Sequence, residues 1–462
     1  MWRAFYNILK VKELRNRLLF TALIILIVRV ASAIPCPGVD MGALETFFKS
    51  IRQSSDNAGG LMTMIDLFSG GALEHFALGA LGIMPYITAS IIMQLLVPVF
   101  PQLEKMQREG ESGRQKISQY TRYLTILVCL VQGAMVALAM VNPAKIGLGT
   151  PSAQHPLYVI DTPFFVVITM LVLTATTMVF TWLGEQITER GIGNGVSLII
   201  TINIVSRLPK AVWELIDMVK HGATPGGETF RMVHLLLMII VFCGVTAATI
   251  MLSQGYRRVP IQMVRKTVGK QMMGGSTYMP LKVNFANVMP IIFAGAILML
   301  PEYLFVAMAQ RTGAKIWITL ANTFRQDGSG YIITYAILIL LFSFFWVANQ
   351  FNPLQIADNL KKEGAYIPGI SPGQPTADFL DSAMTRVTAG GAVFLLALAL
   401  FPMFLYNQFK IPFIVAQFFG GTSLMILVGV VLETMSQLES HLTMRHYAGF
   451  LKSGRLRSRS GN

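Results

Sequence analysis

Leu61-Met62-Thr63-Met64-Ile65-Asp66-Leu67-Phe68-Ser69-Gly70-Gly71 opens the stretch on which the reading of this chain turns, and that stretch continues to Phe100. Its apolar part, Leu61 to Phe68, is about a dozen Å long at helical rise, against a bilayer core about 30 Å thick. So short a run does not span a membrane. It carries Asp66 and breaks at Ser69, Gly70 and Gly71, where the backbone is free to turn sharply. The next run, Phe76 to Phe100, is long enough to span, has Gln94 as its clearly polar side chain, and is closed by Pro98 and Pro101. A half-helix leading into a full helix is therefore expected. Irregular backbone at membrane depth survives only inside protein or beside a water-filled cavity, which points to a channel or transporter. The competing reading is a short amphipathic helix lying on the membrane surface.

The rest of the chain supports a membrane setting. Its 462 residues are 53% hydrophobic and 13% charged, with mean hydropathy +0.57, whereas soluble domains are roughly a quarter charged. Apolar segments centre on Leu18 to Ala33, Phe76 to Val99, Tyr123 to Val141, Pro163 to Leu183, Val196 to Leu208, Val233 to Ser253, Phe285 to Met308, Tyr331 to Val347, Thr388 to Leu405 and Phe413 to Leu432. About ten spans are expected, the fifth cut short by Arg207, Pro209 and Lys210. With the N-terminus inside, the inner segments hold 25 of the 37 Lys and Arg residues, so both termini are expected in the cytoplasm. This asymmetry and contact with anionic lipids account for most of the net charge of +14 without nucleic acid. No removable signal is expected at the basic start, and Cys36, Cys129 and Cys243 are read as packing residues without metal-ligand spacing. Arg29, near the outer end of the first span, is expected to snorkel and is assigned no role.

Ten spans divide into two sets of five, and an odd number per set inverts the second relative to the first. The expected fold is an all-α polytopic membrane protein of two inverted five-helix halves with a re-entrant half-helix. Residues 1–210 form one half, with a plug over 61–72, and residues 211–435 the other, with cytoplasmic loops over 254–284 and 348–387. A basic tail occupies 436–462.

Several strings name a family when taken in order. They are LFSGGALEHFALGALGIMPYITASIIMQLL (67–96) followed by EGESGRQKISQYTRY (109–123), WLGEQITERGIGNGVSLII (182–200), STYMPLKVNFANVMPIIFA (276–294), FNPLQIADNLKKEGAYIPGISPG (351–373) and GGTSLMILV (420–428). Together they resemble the SecY/Sec61-alpha family, channel subunits of the Sec translocon.

The resemblance implies a protein-conducting channel of the bacterial inner membrane, closed by a plug and a ring of apolar side chains and opening sideways into lipid. It implies passage of unfolded secretory chains and lateral release of apolar segments. It matches Leu61 to Gly71 to the plug, and Ile83, Ile87, Val196, Ile200, Ile292 and Ile426 to the ring, Val196 replacing the usual isoleucine. Ile83 with Ile87, and Val196 with Ile200, are i, i+4 pairs, and branched apolar rims can exclude ions by dewetting. Thr88, Gln132 and Asn287 are the polar candidates at a lateral gate. The family's partners are SecE-like and SecG-like small membrane subunits, the SecA motor ATPase, the ribosome, signal peptides and nascent chains. Arg257, Arg258, Arg265, Lys266, Lys361 and Lys362 are candidates for docking the ribosome or motor. No cofactor or catalytic group is implied, and no GxxxxGK[ST] is present. The rival from another class is a secondary transporter for a small solute, which calls for ionisable residues near mid-membrane.

Ser371 stands where the family usually has an arginine. An exposed ion pair is worth only about 0–1 kcal/mol, so nearby charges can offset one that is missing. Reversing Arg257, Arg258, Lys361 and Lys362 to Glu is expected to weaken motor or ribosome binding sharply and with strong salt dependence. Ser371→Arg is expected to be neutral or mildly strengthening. Binding measured at low and high salt checks both.

Overall fold

The computed structural model describes residues 12–53, 69–143, 157–221, 232–263, 266–268, 271–273, 276–324, 328–409 and 421–453, with 411, 415–416 and 418 as separate positions. Leu61 to Phe68 and Arg265 lie outside the described residues.

The helices, in order, are α1 (Lys12–Ala31), α2 (Met41–Gln53), α3 (Met84–Leu96), α4 (Pro101–Arg108), α5 (Glu111–Val141), α6 (Thr162–Arg190), α7 (Gly195–Ser206), α8 (Leu208–His221) and α9 (Met232–Gln254). After a small sheet come α10 (Met289–Thr312), α11 (Lys315–Thr323), α12 (Ser329–Gln350), α13 (Pro353–Glu363), α14 (Gln374–Phe409) and α15 (Thr422–Ser453). Among the described residues seven helices are long and apolar enough to cross a bilayer, and α3 with α4, bent by 103°, adds an eighth. With α1 and α10 this is consistent with the ten expected.

Polar residues inside these spans spend their hydrogen bonds locally. Thr125, Thr181, Thr249 and Ser343 each donate to the carbonyl four residues back, at 2.7 to 2.9 Å. That removes the cost of an unpaired hydroxyl in lipid without cross-linking the helices.

The second span departs from expectation. A continuous helix from Phe76 does not form; turns occupy the chain up to Ile83, and α3 begins at Met84. Phe76 has φ of 41° and its carbonyl accepts from Cys36 N at 2.9 Å, while Leu78 N donates to Ile34 O at 2.8 Å. The backbone groups a helix would have used are thus bonded to the loop after α1. The fifth span also differs, because α7 is followed at once by α8, and the pair runs from Gly195 to His221. Cys243 is exposed rather than packed, while Cys36 and Cys129 are buried.

The loops on one face are more ordered than their sequences suggest. β1 (Tyr256–Met263) pairs antiparallel with β4 (Ser276–Lys282) and, at Gln262↔Tyr366, with β5 (Ala365–Tyr366). β2 (Lys266–Val268) and β3 (Gln271–Met273) form a separate ladder. Val259 and Ile261 are buried and Arg258 and Gln262 exposed, the alternation of a half-buried strand. The sheet therefore joins the loop before α10 to the loop after α13.

Packing is divided among several cores. Phe293 of α10 meets Phe342 and Trp346 of α12 edge-on, at 5.7 and 5.3 Å, in a cluster that also takes in Ile91 of α3 and Leu380 of α14. Tyr331, Tyr335 and Ile339 of α12 join Leu395 and Leu398 of α14 in another. On the other side, Ile24 and Val28 of α1 pack with Phe180, Leu183 and Ile187 of α6.

The string GIGNG is read as a closely fitted corner between α6 and α7. Asn194 Oδ1 accepts from Ser197 N at 3.2 Å, an N-cap, and Thr188 Oγ1 accepts from Gly195 N at 2.9 Å. A Cβ on Gly195 would collide with the carbonyl of Gly184. Gly195→Ala is expected to cost about 1–3 kcal/mol or more by overpacking, read as a lower unfolding midpoint in detergent, with Gly110→Ala, an open position with φ of 82°, as a backbone-strain control.

Candidate constriction and the chain that leads into it

The ring candidates come largely together. Ile200 and Ile426, 9% and 3% exposed, share a cluster with Ile204, Phe418 and Val430, against which Ile87, Val196 and Ile292 pack. Helical spacing explains this: Val196, Ile200 and Ile204 form one stripe on α7, and Ile426 with Val430 a stripe on α15. Four separate elements deliver apolar side chains to one place. Ile83 is set apart, since it caps the start of α3 and is buried with Ile24, Val28, Phe180 and Ile187. Ile87 and Val196 touch both clusters.

Beside this apolar group runs the broken backbone that leaves the expected plug. Of the plug candidates, Ser69, Gly70 and Gly71 are described. Gly70 and Gly71 have φ of 68° and 95°, a region that favours glycine. Arg29 Nη2 donates to Gly70 O at 3.2 Å and its Nη1 to Asn203 Oδ1, also at 3.2 Å. This corrects the expectation that Arg29 snorkels without a role: it is half-buried and turned toward the chain interior. Ser206 Oγ lies 3.2 Å from Gly70 O and donates to Asn203 O at 2.7 Å. Four residues on from Gly70, Glu74 takes a cation on each oxygen, with Lys210 Nζ at 2.6 Å and Arg207 Nη1 at 3.2 Å.

Of Asn203, Ser206, Arg207 and Lys210, the sequence reading takes Arg207 and Lys210 as residues that shorten a span and assigns nothing to Asn203 and Ser206. Their spacing of three, four and seven was the signal: it places them on one side of the α7–α8 run. Among the described residues no group of three His, Cys, Asp or Glu side chains could hold a metal ion.

The gate candidates are not joined to one another by hydrogen bonds among the described residues. Thr88 Oγ1 donates to Met84 O in its own helix at 3.0 Å. Gln132 is half-buried on α5, and Asn287, with φ of 51°, is exposed at the turn that admits α10. The contact between α3 and α10 is sparse compared with that of each to its neighbours α5 and α12.

Of the basic candidates, Arg257, Arg258, Lys361 and Lys362 are exposed. Lys361 and Lys362 lie in the last turn of α13, where a helix C-terminus favours cations, just before Gly364 closes it with φ of 70°. The sheet ties the strand after α13 to β1: Gln262, which pairs with Tyr366, is five steps along β1 from Arg257, about 17 Å at strand rise. Arg257 and Arg258, being consecutive, point to opposite sides of the strand.

The model of the SecY family matches residues 77–435. The protein translocase subunit SecY of Streptomyces galbus is 42% identical over 458 residues, covering 98% of this chain and all of that relative. One solved structure, of a SecY whose plug domain is described as stabilising the closed state of the translocation channel and maintaining a membrane seal, is 18% identical, with a TM-score of 0.59 and 92% of each chain covered. Another, Sec61 in a canine ribosome–channel complex from the endoplasmic reticulum, is 16% identical with a TM-score of 0.55, again over 92% of each.

The clustering separates two outcomes. Ile426→Asn places an amide in the shared cluster and is expected to raise ion leak severalfold in reconstituted vesicles. Ile83→Asn buries a polar group among α1 and α6 and is expected to cost about 1–3 kcal/mol of stability with little leak. Conductance and unfolding midpoints measured on both variants check the split.

Proposed function

The chain belongs to the SecY family, and on that footing we propose how it works as the channel subunit of a protein translocase. Unfolded chains pass between the two sides of the molecule at the cluster of Ile87, Val196, Ile200, Ile292 and Ile426. The meeting of these five side chains from four elements is the observation that carries the reading. Branched apolar groups make no directional bonds, so they exclude water and ions at rest and yield to a chain of any sequence. The segment Leu61 to Phe68 closes the path from one side, and α3 parts from α10 to release apolar segments into lipid.

The sheet-bearing face is the cytoplasmic one in this reading, with both termini on it and the chain in the bacterial inner membrane. The basic residues of β1 and α13 receive the SecA motor or the ribosome, and SecE-like and SecG-like subunits complete the assembly. Arg258 shares the exposed side of the strand with Gln262, whose Oε1 accepts from Tyr366 at 3.0 Å. In this reading it meets a partner together with the α13 lysines. A solute transporter is not favoured: relatives matched over their full length are translocase subunits.

Deleting 61–68 tests the reading. The expected result is a folded protein with raised resting conductance and continued export, because the segment contributes closure and little helix packing. An unchanged conductance in reconstituted vesicles would show that the segment does not close the path.

A further inference from the structure

We propose that Gln437 is a positioning residue for the constriction: by accepting a hydrogen bond from Gly193 N it pins the register of α15 against α7, and so decides which side chains of the two helices meet. The inference rests on the reading of Ile87, Val196, Ile200, Ile292 and Ile426 as the constriction, and adds what sets two of its walls at the same depth.

The bond lies where three elements converge. Gly193 is buried in the corner between α6 and α7, and its N–H donates to Gln437 Oε1 at 3.0 Å across 244 positions. Beside it Leu14 of α1, Ile192 of the corner and Leu438 of α15 pack together. Position 193 calls for glycine, because its φ is 86° and a Cβ there would stand 3.1 Å from Thr434 Oγ1, one turn before Gln437. Counting away from the bond gives the register. Val196, Ile200 and Ile204 are three, seven and eleven residues after Gly193, and Thr434, Val430 and Ile426 are three, seven and eleven before Gln437. At helical rise Ile204 and Ile426 each stand about 16 Å from the bond. Ile200, Ile204, Ile426 and Val430 are buried in one cluster, so the two helices run antiparallel and in step.

Apolar packing alone does not fix that step. Ile200 and Ile204 lie four residues apart on α7, as do Ile426 and Val430 on α15. A slip of one turn, about 5 Å, would again set branched apolar groups against each other. A directional bond separates the two arrangements, in the way that a single polar residue specifies register in a coiled coil. In the slipped arrangement the buried Gly193 N–H loses its acceptor, and an unpaired buried donor is costly. Register matters at a constriction. A slip moves Ile426 out of level with the side chains it packs against and opens a path for water between them.

The test uses the full chain with its small subunits in vesicles, the exposed Cys243 being replaced by Ser. Register is read from the bridging of paired cysteines: Ile204→Cys with Ile426→Cys, in step, against Ile204→Cys with Val430→Cys, one turn out. The in-step pair is expected to bridge severalfold faster in the parent. Gln437→Met, which keeps the length and removes the acceptor, is expected to cut that preference severalfold. Without the paired cysteines, Gln437→Met is expected to raise resting conductance severalfold, as Ile426→Asn does, whereas Gln437→Glu, which keeps an acceptor at the same reach, stays near the parent. Should the methionine variant fold poorly, Gln437→Ala removes the same acceptor and is expected to leak likewise. If Gln437 served stability alone, its loss would lower the unfolding midpoint, as Ile83→Asn does, and move neither bridging nor conductance. Tight Gln437→Met and Gln437→Ala variants with unchanged bridging, beside a leaking Ile426→Asn, would overturn the pin and leave the constriction standing. Equal leak from Gln437→Glu and Gln437→Met would show that the acceptor is not what counts and would overturn it too. A tight Ile426→Asn would remove the constriction reading, and with it the role of Gln437 there.

Discussion

Lipid offers no hydrogen bonds, so any break in a helix at membrane depth has to be satisfied by protein, and the interrupted backbone from Ser69 to Ile83 sets the arrangement of everything around it. Its outer turns bond to Ile34 and Cys36 after the first span. Its start is held by Arg29 and faces Asn203 and Ser206 of the fifth. Only after these bonds are made does the chain enter α3 and supply Ile87 to the constriction. The first, second and fifth spans are thereby tied to a single irregular segment.

Two kinds of contact meet near this segment, apolar packing and polar bonds. In the proposed reading the apolar cluster of the fifth and tenth spans excludes water without specifying what passes, since dispersion and burial do not depend on direction. The polar contacts of Gly70 and Glu74 are directional. Each weakens the moment water replaces a partner, whereas the apolar contacts weaken in proportion to the area exposed. In the proposed reading a chain that wedges the constriction apart acts on the apolar contacts first, and α3 and α10, which share few contacts, are the pair that parts.

Much of this was readable in the residues. Apolar run length gave the spans, and i, i+4 spacing picked out Val196 with Ile200 as one face of a helix. The break at Ser69-Gly70-Gly71 was legible because glycine has so few other reasons to be paired there. What could not be read was long-range pairing. The sequence reads Phe76 as helical because nothing local says that its carbonyl is engaged by Cys36, and Arg29 as snorkelling because its partners lie 41 and 174 positions away. The sheet joining β1 to β5 escaped for the same reason, as two residues of β5 carry no signal without the strand they complete. Ile83 fitted the spacing of the constriction and lies in the adjoining cluster, since it precedes the first turn of α3 and turns toward α1 and α6.

The central claim is that translocating polypeptide passes through the cluster of Ile87, Val196, Ile200, Ile292 and Ile426. Photo-reactive side chains placed singly at these positions, at Ile83 and at the exposed Ile240 test it most directly, with a secretory chain stalled midway across the membrane. Adducts to the stalled chain from the five cluster positions, and none from Ile83 or Ile240, are the predicted result. Adducts absent from the five, or as abundant from Ile240, would contradict it.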